Sequence, residues 1–158
     1  PKADFEGANL AAATLELSDA SDAVFVNSHC KQLKAGRGAN FSRAKFIGAK
    51  APAAAFHESR LDGADFKDAD LSRAFFDGAS LAGVNLAGVN APGSRFDHTT
   101  LKGATIARAH LHQASFENAN LTDADFRGAN LFEAEFMDAS GGTAKHFEGA
   151  NIKRTKLA

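Results

Sequence analysis

Carboxylates recur every twenty residues along part of this sequence, at Asp77, Asp97 and Glu117, with Glu135 and Asp138 close by. Paired carboxylates are the groups of acid–base hydrolysis, but that chemistry needs a concave, dry site to separate their pKa values. His110 and His112 flank Leu111, so both face one side of an extended segment and could pinch a metal ion. No carboxylate or cysteine at a matching spacing completes that set. Cys30 is the single cysteine, which excludes an internal disulfide and a cysteine-based zinc site. Gly141-Gly142 lack the helix that a phosphate-binding loop opens. The expectation is no catalytic residue, no cofactor and no metal.

The elements that would position these side chains follow a period of five. From Phe41 to Phe136 nearly every fifth residue is large and apolar, as in Leu61, Phe66, Leu71, Phe76 and Leu81. A small residue, usually alanine, sits two positions earlier. A period of five fits neither a helix at 3.6 nor a strand at 2. It fits a chain that turns a corner every five residues and keeps its large side chains inside. Within a unit the small and the large residue share the inner side, and the residue between them faces out. Gly, Asp and Asn are frequent at the fifth position, where tight corners need them. Phe56, Phe76, Phe96, Phe116 and Phe136 are twenty apart, so four units close one coil. Coils about 4.8 Å apart would stack these rings in a column. Cys30 falls at an inward position, as a small core residue.

The unit Ala119-Asn120-Leu121, followed by Ala124-Asp125-Phe126 and Ala129-Asn130-Leu131, resembles the A(D/N)LXX motif of the pentapeptide-repeat family. The likeness covers essentially the whole chain. It implies an all-β fold, a right-handed quadrilateral β-helix of about eight coils of four pentapeptides. Residues 1–158 are read as one solenoid domain, already in register at Ala3-Asp4-Phe5, so excision from a longer protein is a standing expectation. Register slips by one residue near 33–38 and near 139–144, after which Phe147 and Ile152 resume. A corner bulge is the expected form of each slip. Pro52 and Pro92 lack an N–H and are expected to weaken the ladder locally and pinch their face.

Composition limits function further. The chain has 158 residues, 18 basic against 19 acidic side chains and a net charge of -1. That balance gives no general pull toward nucleic acid or an acidic membrane surface. No run is long and apolar enough to span a membrane. No targeting segment is visible, and the cytoplasm is the default expectation for compartment. The chain has 14 Phe and no Trp or Tyr, and a core built almost only from Phe and Leu suggests one environment repeated.

Outward positions provide the candidate interaction surface. Asp77, Asp97 and Glu117, with Glu135 and Asp138, form an acidic stripe interrupted by Arg95. Phe75 and Phe132 point outward as candidate hot spots. Lys31, Lys34 and Arg37 form a basic patch at the first slip. The expected function is a non-enzymatic protein–protein interaction module or scaffold with a protein partner. An alternative comes from the resemblance: some family members mimic duplex DNA and inhibit or protect DNA gyrase, as in quinolone resistance. Near-neutral charge argues against that alternative, and so does the end Lys153 to Ala158, which lacks the aromatic dimerisation module of that branch. A secreted effector or adaptor role is a third possibility that the residues neither support nor exclude.

Overall fold

The computed structural model describes residues 2–157. Its backbone is a coil of four short sides, held by parallel bridges between residues twenty apart, such as Asp65↔Asn85, Asp70↔Asn90, Phe75↔Arg95 and Ser80↔Thr100. We name the four faces after the inward residues of one coil: the Phe66, Leu71, Phe76 and Leu81 faces, in chain order. Each side is a single bridge residue between two turns. Among the described residues, bridges lengthen to two-residue strands only at the last coil, Glu135–Phe136 paired in parallel with Lys156–Leu157.

One unit accounts for nearly all its backbone donors. In Ala64–Asp68 the Asp65 N–H donates to Ala44 on the coil before, and the Phe66 and Asp68 N–H groups donate to Asn85 and Ala87 on the coil after. The Ala64 N–H closes the preceding turn on the Leu61 carbonyl at 3.0 Å. The fifth residue of each unit takes a left-handed backbone, including non-glycine residues such as Asp68 (φ 56°) and Arg73 (φ 56°). That conformation is costly for a residue with a Cβ, and it is held here by the ladder bonds on either side. One donor is left over, the N–H of the fourth residue, here Lys67.

The core is a pair of phenyl columns on opposite faces. Phe56, Phe76, Phe96, Phe116 and Phe136 stack with centroids 4.8–5.1 Å apart and planes within 9°. This bears out the twenty-residue column read from the sequence. The facing column begins earlier than spacing alone suggests: Phe5, Phe25, Phe46 and Phe66 stack at 5.0, 4.4 and 4.6 Å. The slip of one residue hides that continuity in the numbering. The columns meet edge to face, as at Phe66 and Phe76 (6.0 Å, 90°), which suits the ring quadrupoles. Where serine or threonine replaces the small alanine, its hydroxyl donates to the carbonyl three residues back, as Ser59 does to Phe56 at 2.6 Å and Thr99 to Phe96 at 2.6 Å. Cys30 is fully buried beside Ser28 (3.1 Å), and burial pushes its thiol pKa up.

Pairs that straddle residues 35–38 are twenty-one apart, as in Lys34↔Ala55 and Asp19↔Asn40. The corner there holds one residue more than the others. Arg37 and Gly38 are both left-handed and bond His57 and Glu58 at 2.9 and 3.0 Å. Gly36 is buried so closely that a Cβ would meet the His57 carbonyl at 2.7 Å. The later slip takes another form: a 3-10 helix, Ala144–Phe147, stands where a corner would be. It delivers Phe147 onto Phe126 at 5.0 Å, so the ring column continues. Ile152 is 45% exposed.

The two prolines correct the sequence expectation. Pro52 and Pro92 each occupy the fourth position, whose N–H the ladder does not use. Ala51 and Ala53 on either side keep their bonds to Asp70 and Ser72 at 2.8 Å, and Pro52 and Pro92 themselves accept from Gln32 and Arg73 at 3.0 and 2.9 Å. The ladder runs through both prolines unbroken.

Candidate functional site

The leftover N–H of the fourth residue explains the aspartate and asparagine of the repeat. The Asp65 carboxylate accepts the Lys67 N–H at 3.0 Å, Asp70 that of Ser72 at 3.0 Å, and Asn120 that of Thr122 at 3.1 Å. These are Asx turns, and a comparable helix cap is worth about 0.5–2 kcal/mol. The same side chains also tie coil to coil: the Asn85 amide donates to Asp65 at 2.9 Å, and Asn151 to Asn130 at 2.9 Å. Such caps occur on the Phe66, Leu71 and Leu81 faces, at Asp4, Asn9 and Asp19 in the first coil and repeatedly afterwards.

The Phe76 face has none of its own. Its middle positions read Thr14, Lys34, Ala55, Phe75, Arg95, Ser115, Glu135 and Lys156, without one aspartate or asparagine. Among the described residues, the N–H groups of His57, Asp77 and Asp97 on this face donate to no protein acceptor. One amide is rescued from the coil before: Asp97 accepts the Glu117 N–H at 3.0 Å and the Ser115 hydroxyl. Asp62 does the same for Ala82 and Ser80 on the Leu81 face, at 3.0 and 2.5 Å.

The acidic stripe of the sequence lies along this face, but its members differ. Asp97 is nearly buried and committed to that internal cap. Arg95 reaches Asp77 at 2.5 Å and Asp97 at 3.3 Å, so the stripe carries its own countercharge. Asp77 and Glu117 are half-buried on the same edge. Glu135 pairs with Lys156 at 2.5 Å, and Arg37 with Glu16 at 3.7 Å. Exposed pairs of this kind contribute about 0–1 kcal/mol. Lys34, Phe75 and Glu135 share the middle column, and Arg37 and Asp138 share the corner beyond it. Phe75 is 38% exposed. The structure places two candidates elsewhere: Lys31 and Phe132 lie on the Leu71 face. Among the described residues no three metal-ligating side chains converge, His110 and His112 included.

Two features escaped sequence reasoning. The capping role of Asp97 depends on residues 18 and 20 positions away, a distance at which no local motif operates. The second feature is an open groove of about 550 Å³ at the corner between the Leu71 and Phe76 faces, lined by Lys31, Pro52, Arg73, Pro92 and His112 among others. The prolines twenty residues either side of Ser72 were its visible signal.

Comparison with known proteins agrees with this geometry. The family model for pentapeptide repeats (8 copies) matches residues 39–78, 79–117 and 109–140. The chain is similar to HetL, a pentapeptide repeat protein involved in heterocyst differentiation regulation from the cyanobacterium Nostoc: 21% identity over 99% of this chain and 77% of HetL, TM-score 0.56. At that identity the likeness shows the fold. Other similar structures are the pentapeptide repeat protein Rfr23 from the cyanobacterium Cyanothece, with 27% identity over 66% of this chain and 64% of that one, TM-score 0.42, and QnrB1, a plasmid-mediated fluoroquinolone resistance protein, with 18% identity over 93% and 78%, TM-score 0.49. A search of curated proteins gave no match. The repeat model spans well over half of the sequence, and the chain belongs to the pentapeptide-repeat family, whose fold is the right-handed quadrilateral β-helix.

Proposed function

We propose that this protein is a non-enzymatic interaction module, a rod of about eight coils, which meets its protein partner through the Phe76 face. Pentapeptide-repeat proteins are generally non-catalytic structural or interaction modules. The observation that supports this face over the others is its missing caps. Three faces cap several of their leftover amides with an aspartate or asparagine of the repeat, while this one has no aspartate or asparagine at that position in any coil. Giving up a stabilising cap at successive coils is the signature of a surface shaped for something other than stability. Phe75 supplies an exposed aromatic anchor beside Arg95, and Phe and Arg are types enriched at interface cores.

A DNA-mimicking, gyrase-directed role is disfavoured by the same geometry. Arg95 sits between the carboxylates of the stripe, whereas a mimic needs a continuous negative field.

The test is capture by face. The wild-type protein would be immobilised beside a Phe75→Ser/Asp77→Lys/Glu117→Lys variant and a Lys67→Glu/Arg108→Glu variant of the Phe66 face. Asp97 is left alone because it holds the fold. A partner retained by the wild type and the Phe66-face variant, but lost from the first variant, supports the proposal. Undiminished capture by the first variant removes it.

A further inference from the structure

We infer that the groove at the corner between the Leu71 and Phe76 faces binds an extended, acidic peptide segment of a partner. The inference rests on the interaction-module reading and deepens it by naming the chemistry of the partner. The groove runs along the coil axis past the corners at Lys31, Pro52, Ser72, Pro92 and His112. Those are successive coils, so the groove is about 19 Å long at the strand-to-strand spacing, room for about six residues of extended chain. Its floor is half-buried proline, which offers apolar surface and no N–H. Its rim carries Lys31 and Arg73, both exposed, and no acidic side chain lines it. Neither cation is within ion-pair distance of a carboxylate among the described residues, unlike Arg43 and Arg95. On a protein of net charge -1 this is a local field of one sign, and its complement is a carboxylate-bearing chain.

Arg73 is held for the task. Its Cγ would lie 3.8 Å from a Cβ at Gly93, so its stem lies over the glycine one coil on, and Arg73 lines the groove. Carboxylates on the flanking positions are occupied. Asp70 accepts from Ser72 and Asn90, and Glu133 at the far end is held low in pKa by hydrogen bonds from Gln113 and Arg154. The Phe76 face begins two residues beyond Arg73, at Phe75, so a partner seated on that face could lay an acidic strand in this corner.

The probe is a fluorescein-labelled ten-residue peptide of alternating Glu and Val, with a Lys-Val peptide as its opposite, followed by fluorescence anisotropy at low salt. The expected result is saturable binding of the acidic peptide alone, weakened at least about tenfold by Lys31→Glu/Arg73→Glu. The Lys67→Glu/Arg108→Glu protein should bind as the wild type does. Absence of saturable binding overturns the inference. So does an equal loss in both variants, which would mean general charge attraction. Arg73→Gln, which keeps a long polar stem, should weaken binding by a smaller factor in the same direction, and unchanged thermal melts establish that the variants fold. Failure here with face-selective capture intact removes only the groove. Peptide binding without face-selective capture removes only the face proposal.

Discussion

The Phe66 and Phe76 faces share one core and differ on the outside. Inside, both present stacked phenyl rings at closely similar spacing, 4.6 Å for Phe46–Phe66 and 4.8 Å for Phe76–Phe96. Outside, the Phe66 face caps its spare amides at Asp4, Asp65, Asn85 and Asp125. The Phe76 face caps one, and by borrowing Asp97 from a neighbouring coil. The inward residues of a pentapeptide solenoid therefore set its shape, and the middle residue is where stability and surface chemistry compete. The Phe66 face keeps Asp or Asn there in several coils, and the Phe76 face, which keeps neither, is the one proposed to meet a partner.

The largest expected effect lies in what the faces share. Phe96→Ala removes a ring stacked on both Phe76 and Phe116 and should destabilise by about 3–5 kcal/mol in chemical denaturation, whereas Phe75→Ala, one step outward, should stay within about 0.5 kcal/mol. If the two cost the same, the inside–outside division is wrong. Next comes the borrowed cap. Asp97→Ala strands the Glu117 amide and the Ser115 hydroxyl and should cost about 1–3 kcal/mol, while Glu117→Ala in the same stripe should cost about 0.5 kcal/mol or less. Equal costs would return Asp97 to the status of an ordinary surface acid. The smallest effect is the sharpest. Phe75→Asn installs on the Phe76 face the cap it lacks for Asp77, so the protein should gain about 0.5–1 kcal/mol while losing captured partner. A variant that is less stable and still binds would reverse the proposed trade.

The inward ladder was legible because it depends on residue type at a fixed period. Phe76, Phe96 and Phe116 announce a twenty-residue coil in the sequence itself. What was not legible depends on which backbone group each corner leaves over. Without that accounting Pro52 and Pro92 look like ladder defects, and Asp77 and Asp97 look alike although one is half-buried and paired with Arg95 and the other is an internal cap. The 3-10 turn at Ala144–Phe147 cannot be told from a bulge in the sequence, because a one-residue slip has the same arithmetic in either form. Lys31 joins Pro52, Arg73 and His112 in the groove only after the slip at residues 35–38 is absorbed into the coil.

The central claim is that the Phe76 face caps none of its spare amides with its own middle residue, whereas each of the other faces caps several. Residue-resolved amide hydrogen exchange by NMR tests it without any partner. The N–H groups of His57 and Asp77 should exchange at least about tenfold faster than those of Lys67, Ser72 and Thr122, with Glu117 joining the slow set through Asp97. Uniform protection at the fourth position of every unit, whichever face it lies on, would contradict the account.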